Sequence, residues 1–243
     1  MKEKYYRFAN IDFLIKPVFE EFFSFAKDYE IPASNSYHTI EDTLEEINHW
    51  KLTHGNEDYP LSYFETLLIH SKIADMVAKE NVFIFHGSSV EVDGGAFIFT
   101  APSGTGKSTH INILRRVYGE DSIKYINDDK PFIRKNGNEF IVYGSPWNGK
   151  SRLSNNVNAK LKGIFIINRS ENNFTRKIDA GEAVMHLIKQ IHFPMGENNI
   201  KLGTDLLFSM VKDVPTYLLN VNMDDSAAKT SMDVITALNK EGK

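Results

Sequence analysis

AFIFTAPSGTGKST, residues 96–109, is the stretch whose reading decides the fold. Its first five residues are β-prone and predict a buried strand, and HINILRRVY (110–118) has the apolar spacing of a helix that stops near Gly119. Between them, Ala101 to Ser108 fits the phosphate-binding loop pattern, with Ala101 where the first glycine usually stands. Gly104 and Gly106 let the backbone curl so that successive N–H groups face one anion, while the helix adds its positive end. Lys107 supplies a point charge for outer phosphates, and the Ser108 hydroxyl suits magnesium. The candidate nucleotide-binding residues are therefore Ser103, Gly104, Thr105, Gly106, Lys107, Ser108 and Thr109, for ATP with Mg2+. The bland alternative is a glycine-rich turn that happens to hold Lys and Ser. The apolar strand before it and the amphipathic helix after it argue against that.

Moving outward, SSVEV (88–92) and the strand at 96–100 are separated by Asp93, Gly94 and Gly95, which predicts a hairpin. A further strand is predicted at 82–85, and His86 follows it. On the other side, IKYIN (123–127) predicts a strand that ends in Asp128 and Asp129. Phosphate loops need an acidic group at the end of a neighbouring strand to hold the metal, and two adjacent carboxylates allow a metal ligand and a general base. The plainer reading of the pair is an Asx turn into Lys130 and Pro131. A single histidine at a strand end is usually structural.

The rest of the chain predicts an α/β protein. A strand pair is expected at 5–9 and 11–15, a helix in VFEEFFSFAKDYE (18–30), and a helix from Ser62 to Glu80 opened by a Ser62 to Glu65 capping box. Strands are expected at 140–143, 161–167 and 216–221, and helices at 181–191, 204–212 and 226–239. A linker falls between Asn56 and Leu61, separating a small α+β module (1–60) from a core (61–243), although the module can equally be part of the same domain. The aromatics Tyr5, Tyr6, Phe13, Phe19, Phe22, Phe23 and Phe25 read as the packing of that module or, alternatively, as a peptide-docking face. His192 reads as a satisfied residue at a helix end or as a further site residue. Gly144 to Arg152, with Trp147, Lys150 and Arg152, reads as a mobile covering loop or a plain surface loop.

With 243 residues, 42% hydrophobic and 25% charged, the chain can bury a sizeable core. A net charge of −4 without basic runs makes nucleic acid an unexpected partner. No apolar run is long enough to span a membrane, and the N-terminus lacks a signal-peptide pattern, so a cytoplasmic protein is expected. The chain has no cysteine, which excludes disulfides and thiolate metal sites. An oligomer is compatible with this composition.

HGSSVEVDGGAFIFTAPSGTGKST (86–109) together with Asp128 and Asp129 resembles the kinase core of the HPr kinase/phosphorylase family, which shares its fold with ATP-type phosphoenolpyruvate carboxykinase. YGSPWNGKSRLSNNVNAKLKGIFIINR (143–169) is similar to small HPr-kinase-like proteins, many of them uncharacterised or associated with peptide modification. The resemblance implies a mixed, strongly bent sheet in which the loop joins a hairpin strand to a helix. It implies that Asp128 accepts the proton of an attacking hydroxyl, that Asp129 holds magnesium, and that His86 stands beside the phosphates and the aspartates. GSPWNGK (144–150) occupies the region where the bifunctional enzyme carries a segment rich in Arg and Gly. The implied activity is thus phosphoryl transfer from ATP to a hydroxyl, of a protein or peptide serine or of a small alcohol, rather than action on HPr or decarboxylation. A nucleotide-binding regulatory protein with little turnover is the rival from another class.

Overall fold

The computed structural model describes residues 2–55, 58–102, 104–192 and 197–241. The chain begins with β1 (Lys4–Phe8), β2 (Ile11–Lys16), α1 (Glu21–Phe25), β3 (Glu30–Ile31), β4 (His38–Glu41) and α2 (Leu44–His54). Then come α3 (Leu61–Val77), β5 (Val82–Phe85), β6 (Ser88–Val92), β7 (Gly95–Thr100), α4 (Lys107–Tyr118), β8 (Lys124–Asn127), β9 (Phe132–Asn136) and β10 (Glu139–Tyr143). The remainder is β11 (Asn158–Arg169), β12 (Phe174–Ile178), α5 (Ala180–Leu187), β13 (Ile191–His192), α6 (Glu197–Asp213), β14 (Thr216–Val221) and α7 (Ser226–Glu241).

The architecture is mixed α/β with two sheets. The large sheet runs β13-β5-β9-β10-β11-β7-β6-β8, and β14 and β12 branch from β11. The branch follows from the length of β11: its first residues pair with β10, whereas Ile164 to Arg169 pair in parallel with β14. Its other edge pairs in parallel with β7, so the strand that carries the glycine-rich loop is buried in mid-sheet. Strands buried on both faces favour continuous β-branched and aromatic runs, as in GIFII (163–167). The β6-β7 hairpin turns on Asp93 and Gly94, both at positive φ, which matches the twist of the flanking strands.

The small sheet, β3-β1-β2-β4, lies against the large one. Tyr6, Phe8, Phe13 and Phe22 share one apolar cluster with Ile69 and Ile73 of α3, Ile84, Phe132 and Trp147. Packing, rather than docking, is thus the use of most of the N-terminal aromatics; Phe25 is the one left exposed. The β1-β2 turn places Ala9 and Asn10 at positive φ, unfavourable for alanine. Arg134 Nη1 donates to the Ala9 carbonyl at 2.8 Å, and Asn10 Nδ2 to the Tyr143 hydroxyl at 3.0 Å, pinning the tip to the large sheet.

Several expectations need correction. The 18–30 segment forms only the short α1 and a 3-10 turn at Lys27–Tyr29. The Ser62 to Glu65 capping box does not form, since Pro60 caps α3 without a side-chain bond. Glu65 instead accepts the backbone N–H groups of Val18 at 2.5 Å and Phe19 at 3.1 Å. The helix expected at 181–191 ends earlier, and His192 lies on β13, paired with β5.

Candidate functional site

Three segments meet at one end of the large sheet. β7 delivers the glycine-rich loop, β8 delivers Asp128 and Asp129, and His86 and Gly87 cross from β5 to β6. Because β6 lies between β7 and β8, hydrogen bonds lace them together. Gly87 N–H donates to the Asp129 carbonyl at 3.0 Å, Ser88 Oγ to the Asp128 carbonyl at 2.8 Å, and Thr100 Oγ1 to the His86 carbonyl at 3.0 Å.

Gly104 and Gly106 have φ of 77° and 119°, which an L side chain rarely adopts. α4 starts directly behind Gly106 with no side-chain cap, so its first-turn N–H groups face the loop. Ser108 and Thr109 are exposed on that first turn. Arg169, at the end of β11, donates to the carbonyls of Gly104 at 2.5 Å and Thr105 at 3.1 Å and so tethers the loop. Ser103 lies outside the described residues.

Lys107 Nζ lies 3.4 Å from the Ala101 carbonyl. No carboxylate forms an ion pair with it among the described residues. Burial lowers its pKa, opposed by the charge of Asp129 and aided by that of Lys130. A half-buried ammonium in that state gains from an anion brought beside it.

The two aspartates have opposite surroundings. Asp128 is buried, its Oδ1 accepts the Gly149 N–H at 2.6 Å, and burial raises its pKa despite that bond. For Asp129 burial also works upward, but a hydrogen bond from His86 and the charge of Lys130 outweigh it and hold the carboxyl below its ordinary value. His86 Nε2 stands 3.3 Å from Asp129 Oδ1, and Lys130 Nζ 3.5 Å from Oδ2. The histidine therefore contacts Asp129, and its partner is not Asp128.

The turn that presents the pair is made by Asn127, a residue that sequence reasoning passed over. Its Oδ1 accepts the N–H groups of Asp129 at 2.8 Å and Lys130 at 2.6 Å. Its Nδ2 donates to the carbonyls of Ser145 at 3.0 Å and Trp147 at 3.2 Å. The Asx turn thus exists, one residue earlier than the aspartates, and it serves to aim them. Arg169 was also missed, because nothing in the chain near the loop announces a partner so distant in sequence.

The 144–152 loop is fixed over its first half. Trp147 is buried against Phe8 and Phe132, and its Nε1 donates to the Thr66 carbonyl at 2.8 Å. Lys150 and Arg152 are exposed on the outer half, so any covering movement belongs to that half alone. His192 lies on β13, and its ring packs 5.1 Å from that of His70.

No family model matches the sequence, and no curated protein does. Among solved structures, the Hpr(Ser) kinase/phosphatase from Coxiella burnetii is similar at a TM-score of 0.38 and 12% identity, covering 65% of this chain and 93% of that one. A likeness that loose says nothing about activity. No helix among the described residues is long and apolar enough to cross a membrane.

Proposed function

We propose that this protein is an ATP- and magnesium-dependent phosphotransferase of the HPr kinase/phosphoenolpyruvate carboxykinase type, acting on a hydroxyl of a protein or peptide serine. One observation carries the reading: a half-buried Lys107 with no ion pair among the described residues, at an uncapped helix start and beside an ionised Asp129 held by His86.

Bound ATP and magnesium would supply the transferable phosphate and the positive charge that screens it. Lys107 and the first-turn N–H groups of α4 would hold the outer phosphates. Asp129 and the Ser108 hydroxyl suit magnesium, which takes one or two protein oxygens and completes its shell with phosphate and water. The acceptor oxygen bonds the γ-phosphorus as the bridging bond to ADP breaks, and the hydroxyl proton passes to a carboxylate of the pair. Asp128, with its raised pKa, is the better matched base. One observation favours exchanged roles: Asp129, and not Asp128, lines the large groove beside the site.

The test is incubation with γ-labelled ATP, magnesium and candidate serine peptides, proteins and small alcohols. Acid-stable, base-labile phosphate on an acceptor is the expected product. Rapid acceptor-independent phosphate release would instead mean an ATPase, and tight ATP binding without either product a regulatory protein.

A further inference from the structure

From Asp129 and Lys130 a groove of ≈ 990 Å³ runs outward between α1, α3 and the 146–152 loop. Phe25, Tyr63, Leu67 and Trp147 form its walls. Phe25 and Tyr63 are 36% and 42% exposed, and both line this groove. Trp147 is held rigidly by its bond to Thr66 and by ring contacts with Phe8, Phe25 and Phe132, so this wall exists before anything binds.

His70 also lines the groove, and it is only 4% exposed. Its Nε2 has no hydrogen-bond partner among the described residues. A buried polar atom left so costs about 1–3 kcal/mol, and such atoms are nearly always satisfied. Burial, with the charges of His192 and Lys130, holds the imidazole well below its usual pKa, against a smaller opposite effect of Asp129. It is therefore neutral and offers hydrogen bonding without charge.

We propose that this groove seats the acceptor, a peptide segment whose reacting hydroxyl is flanked by apolar or aromatic residues, with His70 hydrogen-bonding it from the floor. The reacting hydroxyl rests on the phosphotransferase reading; the apolar peptide rests on the groove. Pockets of roughly 300–1,000 Å³ take ligands of several rings or residues, so a small alcohol would leave most of this one unfilled. Continuity with Asp129 places a hydroxyl in the middle of the segment at the charged end, while its neighbours lie on the aromatic walls.

The chain has two tryptophans. In the full-length protein carrying Trp50→Phe, Trp147 therefore reports the groove by its fluorescence, with no nucleotide present. The probes are N-acetyl-phenylalanyl-seryl-phenylalanine amide, the same peptide with glycine flanks, and glycerol. The phenylalanine peptide is expected to change the emission saturably and to bind at least about tenfold more tightly than the glycine peptide, a difference of about 1.4 kcal/mol. Tyr63→Lys, on the surface and outside the phosphate site, should weaken it about tenfold, and His70→Phe should weaken it also. Equal binding of the glycine peptide or glycerol, an absence of binding, or indifference to Tyr63→Lys would overturn the proposal. The two readings fail separately. Peptide binding without phosphate transfer keeps the groove and removes the kinase, whereas transfer with an acceptor KM indifferent to Tyr63→Lys keeps the kinase and removes the groove.

Discussion

Asp129 separates two regions built in different ways. On one side, the proposed phosphate loop is a backbone device: two glycines at positive φ, a helix start and one lysine, all within a few consecutive residues. On the other, the groove is a side-chain device that gathers Phe25, Tyr63, His70 and Trp147 from three distant parts of the chain. Local backbone geometry depends on which residues are adjacent, so the first region survives in almost any context that supplies a strand and a helix. The second exists only while the N-terminal sheet, α3 and the 146–152 loop are packed together. Substitutions in the first should therefore change nucleotide binding and spare the fold, and those in the second should tie acceptor recognition to stability.

The largest expected effect tests the first half of that contrast. Lys107→Ala should reduce ATP affinity about a hundredfold, as loss of a charge-assisted contact of about 3 kcal/mol would. Its urea midpoint should be unchanged, since the lysine forms no ion pair among the described residues. Calorimetry with ATP and magnesium reads the first, and undiminished affinity would mean that the loop is no phosphate site.

Asn127→Ala breaks the boundary between the regions. It removes the amide that aims Asp129 and Lys130 and also holds Ser145 and Trp147, so it should cost about 3 kcal/mol in urea unfolding. A change below about 0.5 kcal/mol, the ordinary surface value, would show that the turn stands without it.

The aspartates sharpen the comparison further. Asp129→Asn should raise the magnesium concentration needed for half-maximal rate about tenfold, while Asp128→Asn should keep ATP and metal binding and lose turnover by about a hundredfold or more. With Asp128 as base, the wild-type rate should rise with pH through a value above the ordinary aspartate range, because only the ionised carboxylate accepts the proton. If Asp129→Asn removes turnover and Asp128→Asn does not, the roles are exchanged. His86→Ala should slow transfer about tenfold and alter ATP affinity less, through the misplaced Asp129.

A last effect concerns the groove's supporting wall. Burial raises Glu65 from 4.5 to about 7, against the two N–H groups that it accepts. The folded chain then keeps a proton that the unfolded chain loses, so this residue's contribution to stability falls as pH rises between those values. Glu65→Gln cannot titrate, and the difference in melting temperature between it and the wild type should shift in the variant's favour across that window. A difference independent of pH would show Glu65 ionised throughout.

The hairpin, the loop and α4 were legible because each obeys a short-range rule. Asp93 and Gly94 make the tight turn, and the helical spacing of Ile111, Ile113 and Leu114 buries one face of α4. Asp128 and Asp129 were legible as a pair after a strand. Their different environments were not, because His86, Lys130 and Gly149 reach them through the register of β6 on β8 and the path of the 144–152 loop. β9 and β12 also escaped reading; their charged, half-exposed faces carry little apolar alternation, and pairing with their neighbours defines them.

Two segments with the same local pattern mark the limit. Thr43 and Glu46 form a full capping box, with Glu46 N–H donating to Thr43 Oγ1 at 3.2 Å and Thr43 N–H to Glu46 Oε2 at 2.9 Å. The box was expected instead at Ser62 and Glu65, where it does not form. The apolar spacing after Ser62 announces a helix in the sequence itself, whereas no helix was expected after Thr43, where α2 begins. Only the tertiary structure decided which glutamate closes its own helix and which reaches across to Val18 and Phe19. A carboxylate goes to the unpaired N–H groups that packing brings within reach, and those above α3 belong to a distant part of the chain.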